Sequence, residues 1–259
     1  MKATLSLLLV FTGLLHAEEA PAEAAKHGPP MRLLALGEPP PFRQEVRGDR
    51  RVELEAEKGA LPPHQISIAE CPVVPLALCQ PAPLAHVPPA PTVTLLDKAA
   101  KWISLDIPEA LRAKPKLALF WRDPGKTWDT PRSLLLDDSA EAFPAGQVRF
   151  VNLLPTVAAI KIGETTQELA AGKVWLCPAP SAGKALQIAF RSSDGTWMPI
   201  HAATFEPAQA GMRMEVIVYR ADTDTARRPA KALVLRGPAT TANDKAAANG
   251  GTMTAANGQ

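Results

Sequence analysis

Four side chains in the second half of this sequence are of the types that bind soft metal ions. They are Cys177, His201, Met212 and Met214, and a thiol, an imidazole and thioethers together suit ions such as copper. The four residues are spread over several predicted strands, whereas blue-copper sites take their ligands from one tight loop. Packing in a core is the competing interpretation for the two methionines, so a soft-metal site is an alternative hypothesis.

Hydrolytic chemistry needs an activated nucleophile or a pair of carboxylates. Ser181-Ala182-Gly183-Lys184 has the spacing of a catalytic Ser-x-x-Lys motif, in which a helix places the lysine beside the serine hydroxyl. Pro178 and Pro180 disfavour a helix at that point. No pair of carboxylates stands out by its spacing. We therefore predict a protein that is not an enzyme and that needs no cofactor.

Trp128 is the aromatic residue best placed in the sequence to contact a ligand. It stands between Thr127 and Asp129 in a polar loop, whereas Trp121 and Trp175 lie within apolar strands. An exposed tryptophan on a β-sheet protein can stack on sugar rings. The sequence therefore predicts an exposed Trp128, with carbohydrate binding as an alternative function. Folding of the ring back onto its own hairpin is the competing interpretation.

The sequence contains three cysteines, which allow at most one intramolecular disulfide. Cys71 and Cys79 are close in sequence and are the candidate pair, because an exported protein permits such a bond. Three buried free thiols, including Cys177, are the alternative.

The N-terminus has the features of an export signal. Lys2 precedes an apolar run over residues 3–15, and Ala17 supplies the small residue expected before a cleavage site. The run is too short to span a bilayer. We therefore expect a protein of the periplasm, cell envelope or extracellular space, with no integral membrane span after cleavage. An uncleaved N-terminal anchor is the competing interpretation.

The amino-acid composition restricts the class of fold and the classes of partner that we expect. The formal net charge is +2 and charges of both signs are interspersed, so there is no electrostatic reason to expect nucleic-acid binding. The 27 prolines disfavour long helices and favour short strands joined by ordered loops.

An internal repeat indicates the architecture. Residues 117–136 align with residues 215–234, and the matched positions are Arg122 with Arg220, Thr127 with Thr225 and Pro131 with Pro229. Each copy has the pattern of a strand, a polar loop and a second apolar strand. Such a unit cannot bury its own apolar face, so each copy is expected to close a separate small sandwich. One large sandwich is the alternative.

We predict an all-β protein with two tandem immunoglobulin-like β-sandwiches. The predicted segments are a signal peptide (1–17), a flexible leader (18–30), a first sandwich (31–138), a second sandwich (144–236) and a disordered tail (237–259). The proline-rich residues 61–91 are predicted to form an irregular excursion from the first sandwich. The connector is short, so the two sandwiches are expected to touch.

Two local patterns predict individual elements. Val52-Glu53-Leu54-Glu55-Ala56 alternates between apolar and polar residues, as a half-exposed strand does. Ser193-Asp194-Gly195 separates two apolar runs, and Asp-Gly accepts the positive φ of a tight hairpin turn.

The opening of the second predicted sandwich carries a family resemblance. Residues 149–155 (RFVNLLP), followed by Ile160-Lys161-Ile162-Gly163 and Ala171-Gly172, resemble uncharacterised immunoglobulin-like domains of secreted bacterial proteins. Those domains open with Arg-x-x-Asn-x-Ser-Pro, and Leu154 stands here where serine is usual. The resemblance covers residues 149–172 and implies an extracytoplasmic β-sandwich. It carries over no activity and no catalytic residue.

These observations favour a non-enzymatic structural or protein-interaction module of the cell envelope. The expected partner is an envelope protein or a glycan. An interaction module should show an exposed sheet edge or an exposed apolar patch. A metal-binding protein should instead bring Cys177, His201 and a methionine together.

Overall fold

The computed structural model describes residues 28–68, 71–207, 209–222 and 228–239, together with the backbone of residues 255 and 256. The predicted signal peptide lies outside the described residues, as do most of the predicted leader and most of the predicted tail. The described residues form strands and one short helix, α1 (Glu109–Arg112). The predicted all-β class is therefore confirmed.

The N-terminal half, residues 28–138, forms two four-stranded sheets and a separate hairpin. Its strands are β1 (Pro30–Leu36), β2 (Gln44–Arg47), β3 (Arg50–Glu53), β4 (Gln65–Ile68), β5 (Val74–Pro75), β6 (Ala85–His86), β7 (Thr92–Asp97), β8 (Ala100–Asp106), β9 (Lys116–Trp121) and β10 (Arg132–Asp137). The inner N sheet has the order β10-β9-β1-β6, and the outer N sheet has the order β5-β4-β7-β8. Strands β2 and β3 form the hairpin.

The C-terminal half, residues 147–239 with residues 255 and 256, forms two further sheets. Its strands are β11 (Gln147–Asn152), β12 (Ala158–Ile162), β13 (Thr165–Leu169), β14 (Val174–Pro178), β15 (Ala185–Arg191), β16 (Trp197–Thr204), β17 (Met212–Arg220), β18 (Ala230–Pro238) and β19 (Ala255–Ala256). The inner C sheet has the order β14-β11-β17-β18-β19, and the outer C sheet has the order β13-β12-β15-β16.

The internal repeat corresponds to two neighbouring strands of each inner sheet. The repeated segments are β9–β10 in the first half and β17–β18 in the second. In both halves the first strand pairs in parallel with the strand that opens the repeat, β1 with β9 and β11 with β17. In both halves the second strand of the repeat then pairs antiparallel with the first.

Alternate residues of these central strands face two different cores. Leu33 of β1 packs between the two N sheets, whereas Leu34 faces the C-terminal half. Val216 of β17 packs between the two C sheets, whereas Ile217 faces the N-terminal half. The four sheets therefore form a stack of four layers with three apolar cores. Burial of both faces explains the nearly continuous apolar sequence of these strands.

The expected contact between the halves is confirmed as a third core. It consists of side chains from both inner sheets, namely Leu34, Leu36, Leu117, Leu119, Trp121, Leu136, Val151, Leu153, Ile217, Tyr219, Leu233 and Leu235. An apolar core of this size holds the two inner sheets together, because separating them would return all twelve side chains to water.

The proline-rich residues 61–91 lie within the two N sheets and do not form the predicted irregular excursion. They supply β4, β5 and β6, and Ile66, Ile68 and Leu76 are buried in the core between the N sheets. Proline cannot donate to a sheet ladder, which keeps β5 and β6 to two residues each. The segment is therefore part of both N sheets.

Two smaller expectations concern turns and the C-terminus. The Asp194-Gly195 turn joins β15 to β16, with Gly195 at a φ of +86°, as the sequence pattern predicts. Strand β18 extends to Pro238, and Ala255 and Ala256 pair with it. Residues 237 and 238 of the predicted tail therefore belong to a strand, and residues 255 and 256 pair with that strand.

Candidate functional site

Trp128 is buried, so the prediction that it is exposed is wrong. The residue lies in the loop between β9 and β10, and its side chain, 1% exposed, packs in the core between the N sheets. Its backbone N–H donates to the Gly59 carbonyl at 2.8 Å, and its own carbonyl accepts from Trp102 Nε1 at 2.6 Å. The polar neighbours in sequence stay outside because the loop folds back with only the indole turned inward. Trp128 is therefore a core residue.

The four candidate soft-metal ligands do not converge. Met212 and Met214 lie on β17 and Cys177 lies on β14, all in the inner C sheet, whereas His201 lies on β16 of the outer C sheet. Cys177 and Met214 pair with Val148 from opposite sides, so two strand spacings, roughly 10 Å, separate their backbones. Metal–ligand bonds of about 2.0–2.3 Å cannot bridge such positions. Within the described residues, no group of three His, Cys, Asp or Glu side chains could hold a metal ion.

Burial controls the ionisation of two of these residues. It raises the pKa of the Cys177 thiol and lowers the pKa of the His201 imidazole, so both side chains are neutral at pH 7. Cys177 and Met214 instead pack against the core between the C sheets. The core interpretation of these residues is therefore the better one.

Cys71 and Cys79 are not joined in a disulfide. Cys71 packs against the core between the N sheets and donates to the carbonyl oxygen of His86. Cys79 packs against the core between the halves and donates to the carbonyl oxygen of Gly37 at 3.3 Å. The candidate disulfide fails because the two thiols belong to different cores.

A cleft of about 750 Å³ lies between the halves and contains Cys79. The Cys79 sulfur lies 3.5 Å from the Tyr219 hydroxyl, and burial raises the pKa of that phenol well above its usual range. Among the described residues, the groups that contact the Cys79 thiol are therefore a protonated phenol and a carbonyl oxygen, and neither acts as a general base.

A buried charge cluster lies where the chain passes from one half to the other. Asp138, fully buried, follows β10 and accepts hydrogen bonds from Arg32 of β1, Arg149 of β11 and Arg213 of β17. The three donor–acceptor distances are 2.9, 3.1 and 2.8 Å. Asp138 thus joins both inner sheets.

The charges in this cluster are compensated by neighbouring groups. Arg149 also pairs with Glu215 at 2.8 Å, and the guanidinium groups of Arg149 and Arg213 lie 4.2 and 4.5 Å from the ring centre of Phe143. Burial alone would raise the pKa of Asp138, but the three guanidinium charges outweigh it and hold the pKa below its usual value. The cluster is therefore an ionic joint between the halves.

The β2–β3 hairpin, here called the arm (residues 42–54), is the most exposed element. Both strands are exposed along their full length, and within the described chain they pair only with each other. Phe42 and Val46 are 66% and 68% exposed. Gly48, at a φ of +62°, opens the two-residue turn. The sequence predicted only a half-exposed strand here, although Gly48-Asp49 between alternating residues is a hairpin signal.

The exposed side of the outer C sheet, here called the outer C face, is a second uncovered surface. Ala159 and Ala189 lie opposite each other at its centre, with Glu168 and Pro199 next to them on the flanking strands. Together with Trp197, which is 39% exposed, they line a shallow depression of about 470 Å³. Trp197 lies two residues after Gly195 of the Asp-Gly turn, and this position beside a predicted hairpin turn is the sequence signal that could have identified it instead of Trp128.

Comparisons with known proteins add no functional assignment. No protein-family model and no curated protein sequence matches this chain. Among the described residues, no helix has the length and the apolar character needed to span a membrane. The arm and the outer C face are therefore the surfaces of the described structure that bear on function.

Proposed function

We propose that this protein is an exported, non-enzymatic protein-interaction module of the cell envelope, and that the arm docks on its partner. One observation carries the proposal. The arm is a two-stranded ribbon outside both N sheets, and it exposes Phe42 and Val46 to solvent. Large apolar side chains exposed on a protruding, otherwise charged ribbon are the feature expected of a binding surface.

The chemistry of the arm favours docking on a sheet edge. Each of its two strands has an outer edge whose N–H and C=O groups are not paired by another described strand. Such an edge is a template for pairing with another chain. The bond from Leu54 N–H to the Arg43 carbonyl, 2.9 Å long, extends the ladder to the base of the arm. Phe42 and Val46 therefore lie on the same face of the ribbon, since side chains alternate along a strand.

An isolated two-stranded hairpin is marginally stable in water. A partner that covers one face of the arm would add the missing apolar contacts. Burial of Phe42 and Val46 would stabilise the complex by about 1.5–3 kcal/mol per side chain. The partner that fits is a protein with an open sheet edge beside an apolar pocket.

The arm is held firmly at its base, which lowers the entropic cost of binding. Pro39, Pro40 and Pro41 lead into it, and consecutive prolines form a stiff extended segment. On the return side, Gly59 at a φ of +75° receives the hydrogen bond from Trp128. The nearest atom to a Cβ at position 59 would be Thr127 Cβ at 2.8 Å, so glycine permits this close contact.

A pull-down with matched variants tests the proposal. Mature protein (18–259), cross-linked in an envelope extract of the source cell, should recover one protein near stoichiometry by mass spectrometry. The double variant Phe42→Ser with Val46→Ser should lose that protein, because it removes the apolar face of the arm. Val73→Ser is the control, since Val73 is 54% exposed but lies outside the arm.

Three results would contradict the proposal. The first is recovery of no protein above background, and the second is equal recovery by the wild type and the double variant. The third is a cross-linked product that contains only this chain, which would indicate self-assembly rather than docking on another protein.

A further inference from the structure

The outer C face is a built depression rather than a plain sheet surface. Leu186 and Ile188 of β15 point into the core between the C sheets, so Gln187 and Ala189 face outward. Cross-strand register places Lys161 of β12 next to Gln187, and Thr166 of β13 next to Lys161. Polar side chains thus lie beside the apolar floor formed by the two central alanines.

The apolar part of the outer C face is flat. Small residues on the two central strands, Ala159 and Ala189, leave the sheet surface low, and Pro199 continues it onto β16. Trp197, opposite Arg191 in the register, rises at one end with 39% of its surface exposed. An exposed indole beside a flat floor matches the apolar C–H face of a sugar ring.

The polar part of the outer C face is free to bind hydroxyl groups. The side chains of Lys161, Glu168 and Gln187 make no hydrogen bond or ion pair to other described residues. They supply an ammonium donor, a carboxylate acceptor and an amide that both donates and accepts. His201, at the rim, has a buried Nε2 atom without a hydrogen-bond partner in the described structure.

The volume and the charge of the depression indicate which class of ligand fits it. A volume of about 470 Å³ is within the range of small-molecule sites, roughly 300–1,000 Å³. Lys161 and Glu168 are diagonal neighbours on adjacent strands and carry opposite charges. Their charges balance, so the lining favours a neutral ligand that is rich in hydroxyl groups.

We infer that the outer C face binds a short stretch of a neutral glycan, with Trp197 stacked on one sugar ring. Lys161, Glu168 and Gln187 bind the hydroxyl groups of the ring that lies over the alanines. This site is separate from the arm, so its occupancy does not depend on the protein partner. A protein with both sites would be held on a polysaccharide while the arm contacts its partner.

Affinity gel electrophoresis tests this inference directly. Purified mature protein would be run through gels that contain hydroxyethylcellulose, barley β-glucan, konjac glucomannan or dextran. We expect retardation by at least one of these neutral polysaccharides. The Trp197→Ala variant should bind that polysaccharide at least tenfold more weakly, and Gln187→Ala should weaken binding to a smaller extent.

Two controls separate binding from folding and from the arm. Met198→Ala changes a neighbouring residue that is 41% exposed but does not line the depression, so it should bind normally. The arm variant Phe42→Ser with Val46→Ser should also bind normally. The melting temperature of Trp197→Ala should stay within a few degrees of that of the wild type, since a partly exposed ring contributes little to folding.

Defined results would overturn the inference. Migration unaffected by all four polysaccharides would do so, as would equal retardation of the wild type and Trp197→Ala. Failure here leaves the arm result standing, because the pull-down reports on a different surface.

Discussion

The two halves of the molecule share their inner sheets and differ in what they expose. Strands β1, β9 and β10 of the first half have the same pairing as β11, β17 and β18 of the second. These shared strands are buried between the halves. Among the described residues, the arm belongs to the first half and the Trp197 depression belongs to the second, and neither has a counterpart in the other half. The repeated elements therefore form the scaffold, and the unrepeated elements are the candidates for recognition.

Breaking the ionic joint should have the largest effect. Asp138→Ala leaves three buried guanidinium groups without their shared carboxylate, so we expect a loss of about 3–5 kcal/mol in the free energy of unfolding. Urea denaturation at pH 7 measures this loss. Val46→Ser, in the exposed arm, is the control and should change it by less than about 0.5 kcal/mol.

The pH dependence of the same joint has a defined sign. The pKa of Asp138 is lower in the folded protein than the ordinary aspartate value of about 3.9. Its contribution is therefore complete above that value and is lost as the pH falls through the native pKa. Wild-type stability should fall more steeply below pH 4 than the stability of Asp138→Asn. Parallel curves would contradict the role given to the carboxylate.

Trp128 and Trp197 should differ in how much they contribute to stability, since the first lies in the scaffold and the second lies on the proposed recognition surface. Trp128→Ala should cost about 3–4 kcal/mol of unfolding free energy, because it opens a cavity in a packed core. Trp197→Ala should cost less than about 1 kcal/mol. Thermal and urea unfolding of both variants measures the difference. Similar losses would mean that Trp197 is also a scaffold residue.

Lys116 is a scaffold residue whose replacement should stabilise the protein. It is 1% exposed, and its ammonium group has no hydrogen-bond partner in the described structure. Burial lowers the pKa of Lys116 from 10.5 to about 8, although Asp137 nearby opposes the shift. Lys116→Met removes the buried charge, so we expect a gain of about 2–3 kcal/mol at pH 7.

The pH dependence of stability at Lys116 has the same sign as that at Asp138, because folding lowers both pKa values. Between pH 8 and pH 10.5 the unfolded chain binds more protons at this lysine than the native protein does. Wild-type stability should therefore gain from this group as the pH rises through that interval. The Lys116→Met variant lacks this gain, and unfolding measured at pH 7, 8, 9 and 10 distinguishes the two curves. An unchanged slope in the variant would contradict the pKa given to Lys116.

The sequence was sufficient to predict the strands of the scaffold because buried strands have a clear pattern of apolar residues. The segments β9–β10 and β17–β18 are visible as a repeat, and the Asp194-Gly195 hairpin follows from turn chemistry. The short connector also correctly predicted contact between the halves. Apolar strands and glycine turns are local signals, and a single sequence contains them.

The candidate sites were harder to predict because exposure depends on the tertiary structure. Trp128 has polar neighbours in the sequence, yet its loop turns the ring inward. Cys71 and Cys79 are close in sequence but pack in different cores. The ion pairs of Asp138 link residues as far apart as Arg32 and Arg213, and no local pattern predicts contacts over that distance.

The assignment of the arm to recognition is tested most directly by measuring stability and binding in one variant that lacks the arm. In this variant, residues 43–54 are replaced by a short glycine-serine loop that rejoins Phe42 to Glu55, with Phe42→Ser added. We expect this variant to have an unfolding free energy within about 0.5 kcal/mol of the wild type. We also expect it to lose completely the protein that the wild type recovers in the pull-down. An armless variant that still recovers this protein, or that fails to fold, would contradict the assignment of the arm to recognition rather than to the scaffold.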